Sequence, residues 1–154
     1  MSVRPGHERK LRGGVLDASS LVRAAPTPRS AARRLTNAVL ARGLPVASAP
    51  VFEEVEGVIA RPKFERWLSE ADRIGFMRQI RSGAVVQQPA HVVRACRDPS
   101  DDKYLEAALA AVDQAAGPEA VLIASDDRDL LVPHPWRGIA ILKPEAALAL
   151  LGDG

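Results

Sequence analysis

Short apolar runs alternate along this chain with segments of helical periodicity. Gly13-Gly14-Val15-Leu16 is an apolar run that ends at Asp17 and reads as a first strand. Residues 29–42 place Leu35, Val39 and Leu40 at helical spacing with arginines elsewhere, and Gly43 is expected to stop that helix. Leu44 to Ser48 reads as a second strand, and residues 51–60 as a helix begun by Pro50 and ended by Pro62. Ser69 is followed by Glu70 and Asp72, a cap with an acidic first turn, and predicts a helix to Arg81. Ala84 to Val86 is a weak strand, and Asp98-Pro99-Ser100 a turn. A helix capped by Ser100 or Asp101 is expected to run to Ala116. Residues 121–124 and 138–142 read as buried strands, with Pro144 opening a last helix to Leu151. Strands that are short, wholly apolar and separated by helices predict a three-layer α/β/α domain around a mostly parallel sheet of about five strands.

Composition narrows the setting. The 154 residues suffice for one domain and are too few for two ordinary ones. Aromatic residues are only 4%, so the core must come from Ala, Val, Leu and Ile. A single cysteine, Cys96, forbids an internal disulfide and suits a reducing compartment. Residues 1–12 form a basic leader without the apolar stretch of a secretory signal, and no apolar run approaches the roughly 20 residues that span a membrane. The cytoplasm is the expected location. Charge is unevenly spread, with 15 Lys and Arg against 8 Asp and Glu through Arg81, and 6 against 11 beyond it. A basic half suits a phosphate backbone and an acidic half suits cations. Arg61 and Lys63 are candidate RNA contacts on that basis; solvated helix faces are the plain alternative.

The acids sharpen the picture through their positions. Asp17 follows the first strand, Asp127 follows residues 121–124, Asp102 opens a helix, and Glu54 lies in the first turns of another. In parallel α/β sheets ligands bind beyond the carboxyl ends of the strands, where all four acids can meet. Carboxylates gathered there repel unless something positive joins them, and a hard divalent cation such as magnesium takes oxygen ligands. Such a cation polarises a phosphodiester and activates water. Read singly, each acid is equally at home as a turn residue, a solvated helix residue or a cap. Other chemistry lacks its residues. No glycine-rich phosphate loop or Gly-x-Ser-x-Gly elbow is present, and three scattered histidines with one cysteine do not make a zinc site. A phosphatase with Asp17 as nucleophile wants a second Asp two positions on, where Ser19 stands. A domain that binds RNA or a protein without cleaving is the alternative to a nuclease.

Several motifs carry a resemblance. Val15-Leu16-Asp17-Ala18-Ser19-Ser20 resembles the opening strand and turn of PIN-domain proteins. Residues 53–64, Asp98-Pro99-Ser100-Asp101-Asp102-Lys103, Ser125-Asp126-Asp127-Arg128-Asp129-Leu130-Leu131 and the run from Gly138 to Pro144 resemble, in order, one VapC-like PIN subgroup, the toxins of toxin–antitoxin systems. The resemblance implies a PIN-like nuclease domain over residues 13–151, acting as an endoribonuclease with magnesium, or manganese in its place. It implies catalytic roles for Asp17, Glu54, Asp102 and Asp127, with Asp17, Asp102 and Asp127 on the metal. Ser125 matches a hydroxyl residue beside the metal, and Ser19, Asp98, Asp101 and Asp129 would support the site. An RNA substrate, a cognate antitoxin and a homodimer are the implied partners. Two departures stand out: Ser19 replaces the family's usual Asn, and Asp126 its usual Gly. Ser19 is expected to keep a hydrogen bond to an acid, whereas Asp126 adds negative charge.

Overall fold

Strand β1 (Gly13–Leu16) sits at the centre of a five-stranded sheet ordered β3-β2-β1-β4-β5, with β2 Pro45–Ser48, β3 Val85–Gln87, β4 Val121–Ala124 and β5 Ala140–Leu142. All four pairings are parallel, so the sheet is parallel throughout. The computed structural model describes residues 11–24, 29–42, 44–66, 68–113 and 117–152. The leader up to residue 10, Gly43 and residues 114–116 of the expected helix lie outside them. Leu11 and Arg12, assigned to the leader, already join the fold: Leu11 is buried and the Arg12 N–H donates to the Ala120 carbonyl at 2.7 Å.

The helices cover both faces. They are α1 (Ala18–Ala24), α2 (Ala31–Ala41), α3 (Ala49–Ile59), α4 (Glu70–Gly83), α5 (Asp102–Val112), α6 (Arg128–Leu131) and α7 (Pro144–Leu151). Helix α5 lies across β1, β2, β3 and β4 on one face, while α2 packs against α1 and α7 on the other. Gly13 opens β1 where the neighbouring strand comes near: a Cβ there would meet Val46 of β2 at 3.0 Å, tighter than ordinary van der Waals contact. The core is aliphatic, as the composition requires, with Val15, Leu35, Val39, Leu105, Ile123, Leu130 and Ile141 almost fully enclosed.

Nine of the ten elements expected along the chain recur within two residues at each end, among them the helix capped by Ser69, whose hydroxyl accepts the Asp72 N–H at 3.1 Å. Short helices α1 and α6 do not appear in the periodicity, since seven and four residues are too few to show a repeat. Because β1 and β4 are neighbours while the chain leaves them in opposite directions across the sheet, the strand order reverses between them. Asp17 and Ser125 follow these two strands directly.

Candidate active site

Asp17 is 3% exposed and held from several sides. The Ser19 hydroxyl lies 2.8 and 2.9 Å from its two carboxylate oxygens, the hydrogen bond expected of it, and the Ser20 N–H donates to Oδ1 at 2.9 Å. Ser125 Oγ donates to Oδ2. Burial nevertheless holds the Asp17 carboxyl above the usual carboxylate range, against the pull of these donors. Ser125 also accepts the Asp127 N–H at 2.8 Å, so one hydroxyl ties the end of β1 to the turn after β4. The Asp17 N–H closes the same seam by donating to the Ala124 carbonyl at 3.1 Å.

A second group forms where α5 begins. Asp98 accepts the Ser100 N–H at 2.9 Å and its hydroxyl at 2.8 Å, which draws its carboxyl below the usual range and starts the 3-10 turn Pro99–Asp101. That turn fixes the phase of α5 and decides which of two adjacent acids faces the cleft. Asp101 does: it offers a carboxylate oxygen that lies, with those of Asp127 and Asp129, inside a 4.8 Å group. It is 6% exposed, and its Oδ2 has no hydrogen-bond partner among the described residues. Burial, then the charges of Asp127 and Asp98, push its carboxyl up to about 7. Asp101 was a candidate cap for α5, but its side chain makes no capping hydrogen bond. Asp127 does cap, accepting the Asp129 N–H at 2.9 Å on Oδ1.

Asp102 is engaged elsewhere. Its Oδ1 accepts the N–H groups of Ala95 at 3.1 Å and Cys96 at 2.8 Å, pinning the irregular segment before α5. The Cys96 thiol is pushed up to about 12, first by burial and then by Asp102 and the charges of Asp101 and Asp127. Glu54 on α3 reaches the same region. Its Oε2 accepts from the Tyr104 hydroxyl at 2.6 Å and pairs with Lys103 Nζ at 2.6 Å. Asp126, the extra acid of the sequence, is ion-paired with Arg23 of α1, so its charge is compensated locally.

The two candidate RNA contacts are not brought to this edge by any contact. Arg61 and Lys63 follow the carboxyl end of α3, both are exposed, and no ion pair or hydrogen bond joins their side chains to the acids among the described residues. Lys63 lies over the Phe64 ring, 5.1 Å from its centre. Two residues of the site carry no signal of their own in the sequence: Tyr104 reads as one more core residue and Arg23 as a surface charge, while Lys103 stands in the quoted motif without a role until its partner is seen.

A family model for the PIN domain matches residues 14–128, from β1 to the first residue of α6. The chain belongs to the PIN-domain family. No curated protein and no solved structure matches it. PIN domains are in general nucleases, which makes this chain a hydrolase acting on nucleic acid. The acids of this PIN domain suit a hard divalent cation: three carboxylates converge, and a buried oxygen of Asp101 waits for a positive partner that no side chain supplies among the described residues.

Proposed function

We propose that the protein is a magnesium-dependent endoribonuclease, with manganese able to replace magnesium, and that it acts in the cytoplasm as the toxin of a toxin–antitoxin pair. One observation carries the catalytic part: the Asp101, Asp127 and Asp129 carboxylates converge beside the hydrogen-bonded Asp17 at the reversal of strand order. A divalent cation bound there supplies Lewis acidity and a water of lowered pKa. Asp101 and Asp127 would hold it, and Asp101 takes the part that the motif alone gave to Asp102, because its carboxylate lies with those of Asp127 and Asp129 while Asp102 Oδ1 accepts two backbone N–H groups. Asp17 is kept rigid by Ser19, Ser20 and Ser125, and Glu54, held by Tyr104 and Lys103, adds its carboxylate to the acids around the cation. The domain extends over residues 13–151 as the motifs delimit it, with Leu11 and Arg12 of the leader joined to it.

The partner assignment has separate support. A groove between α3 and α4 is lined by Ile74, Met77, Arg73, Arg78 and the ion pair of Arg81 with Glu56, and its apolar floor with arginines in excess on the rim suits an acidic segment of an antitoxin. A homodimer is proposed from the resemblance alone.

Incubation of a mixed RNA pool with the protein, with magnesium or manganese and then with excess chelator, tests the catalytic reading. Cleavage that chelator abolishes is the expected result. Cleavage that survives chelator overturns the metal mechanism, and tight RNA binding without cleavage makes the protein a binding module instead.

A further inference from the structure

Tyr104 is 2% exposed, and its hydroxyl is fully used. It accepts the Ala18 N–H at 3.1 Å and donates to Glu54 Oε2 at 2.6 Å. Ala18 is the residue after Asp17, so one phenol oxygen on α5 joins the turn that carries Asp17 to the glutamate of α3. The three segments are far apart in sequence, 86 residues for one bond and 50 for the other. A phenylalanine would fill the same space without a buried polar atom to satisfy. The hydroxyl therefore has a task beyond packing, and its two partners define it.

The neighbouring residue completes the arrangement. Lys103 Nζ reaches the same Oε2 of Glu54 at 2.6 Å and is anchored by the Ser100 carbonyl at 2.7 Å. With a phenol and an ammonium both on Oε2, the glutamate cannot turn freely about its terminal bond. Its other oxygen has no hydrogen bond among the described residues, and the Glu54 charge is felt at Asp101. We propose that Tyr104 is a positioning residue of the nuclease site, its hydroxyl fixing Glu54 relative to Asp17 so that Glu54 Oε1 is directed at the metal-binding acids. This rests on the reading of the acids as a metal nuclease site. Residues that orient a metal's ligands typically contribute tenfold to hundredfold in metal affinity or activity.

The test uses the full chain. Tyr104→Phe removes one oxygen and keeps the ring. Manganese titrated against the variant and followed by water-proton relaxation should show about tenfold to hundredfold weaker binding. On RNA, kcat should fall by a similar factor while KM stays at the wild-type value. If Tyr104 acts through Glu54, the losses of Tyr104→Phe and Glu54→Gln should not add in the double variant. A hydroxyl that only stabilises the fold would lower the melting temperature and leave kcat and manganese affinity unchanged, and that result, or additive losses, overturns the proposal. Tyr104 is the only tyrosine in the chain, so 3-fluorotyrosine places a single fluorine reporter beside this oxygen without any substitution. Its resonance should move on magnesium addition, and the response should vanish in Glu54→Gln; a resonance indifferent to both overturns the proposal even if Tyr104→Phe fails to fold. Asp127→Asn separates the two levels. If that variant still binds manganese and cleaves as wild type, the metal-site reading fails and the role of Tyr104 with it. If it is dead while Tyr104→Phe equals wild type, only the role of Tyr104 fails.

Discussion

Asp101 and Asp102 are consecutive residues whose carboxylates do different work: Asp101 faces Asp127 and Asp129 with an unpartnered oxygen, and Asp102 holds the N–H groups of Ala95 and Cys96. A step of one residue turns a helix by about 100°, enough to send one side chain to the cleft and the next to the preceding segment. Substitution should separate them. At pH 8 without metal, Asp101→Asn should raise stability by about 1 kcal/mol by relieving repulsion, and magnesium should stabilise it less than wild type. Asp102→Ala should cost on the order of 2 kcal/mol at every magnesium concentration, since two N–H groups lose a charged acceptor. Thermal melts across a magnesium titration decide; equal behaviour of the two variants would refute the division.

The raised carboxyl of Asp101 gives a pH dependence of definite sign. Its folded value of about 7 lies above the ordinary carboxylate value, so the folded state binds more protons between the two. Its contribution is complete below the unfolded pKa and is lost as pH rises through about 7. The metal-free protein should therefore melt a few degrees lower at pH 8 than at pH 5.5. Asp101→Asn should flatten that slope, and saturating magnesium, which binds the ionised form, should oppose it. A wild-type curve that rises over this range in the same way as the Asn variant would refute the assignment.

Ser125 serves two acids with one oxygen, donating to Asp17 and accepting from the Asp127 N–H. Ser125→Ala should cost about 1–3 kcal/mol, because a half-buried N–H and a buried carboxylate each lose a partner. Cleavage should fall more than it does for Ser19→Ala, which disturbs Asp17 and leaves the Ser125 bridge in place. Chemical denaturation and RNA turnover on the two variants check the order.

Cys96 reports on the charge of the cluster. With its thiol pushed up to about 12, alkylation at pH 8 should be slow. Magnesium bound at Asp101 and Asp127 offsets two of the charges that raise it, so labelling should quicken as magnesium is added. A rate indifferent to magnesium would place the cation away from these acids.

The layering and parallel sheet were legible because they follow from chain-wide features: short apolar runs, caps such as Ser69, and prolines at helix starts. The position of the site was legible for a related reason, since acids that follow strands must collect at one edge of a parallel sheet. Orientation was less accessible. The turn Pro99–Asp101 sets the rotation of α5, and no periodicity in the sequence distinguishes Asp101 from Asp102 across it. Arg23 and Asp126 lie about a hundred positions apart in sequence, so the compensation of the extra acid becomes visible only when α1 meets the turn after β4. Tyr104 is concealed by its burial, because spacing along α5 describes the ring and says nothing of the oxygen.

The central strand is also the first to be synthesised. β1 leaves the ribosome with β4 still to come, and the Ser125 that must reach Asp17 follows 108 residues later. Until then Asp17 has neither its hydroxyl donor nor Asp127 beside it, and Asp101 lacks the neighbour across the cleft. The cleft is thus assembled only after β4 and the turn that follows it have been made. A nascent chain that has made β1, α3 and α5 alone holds its acids apart, and they meet only when β4 takes its place beside β1.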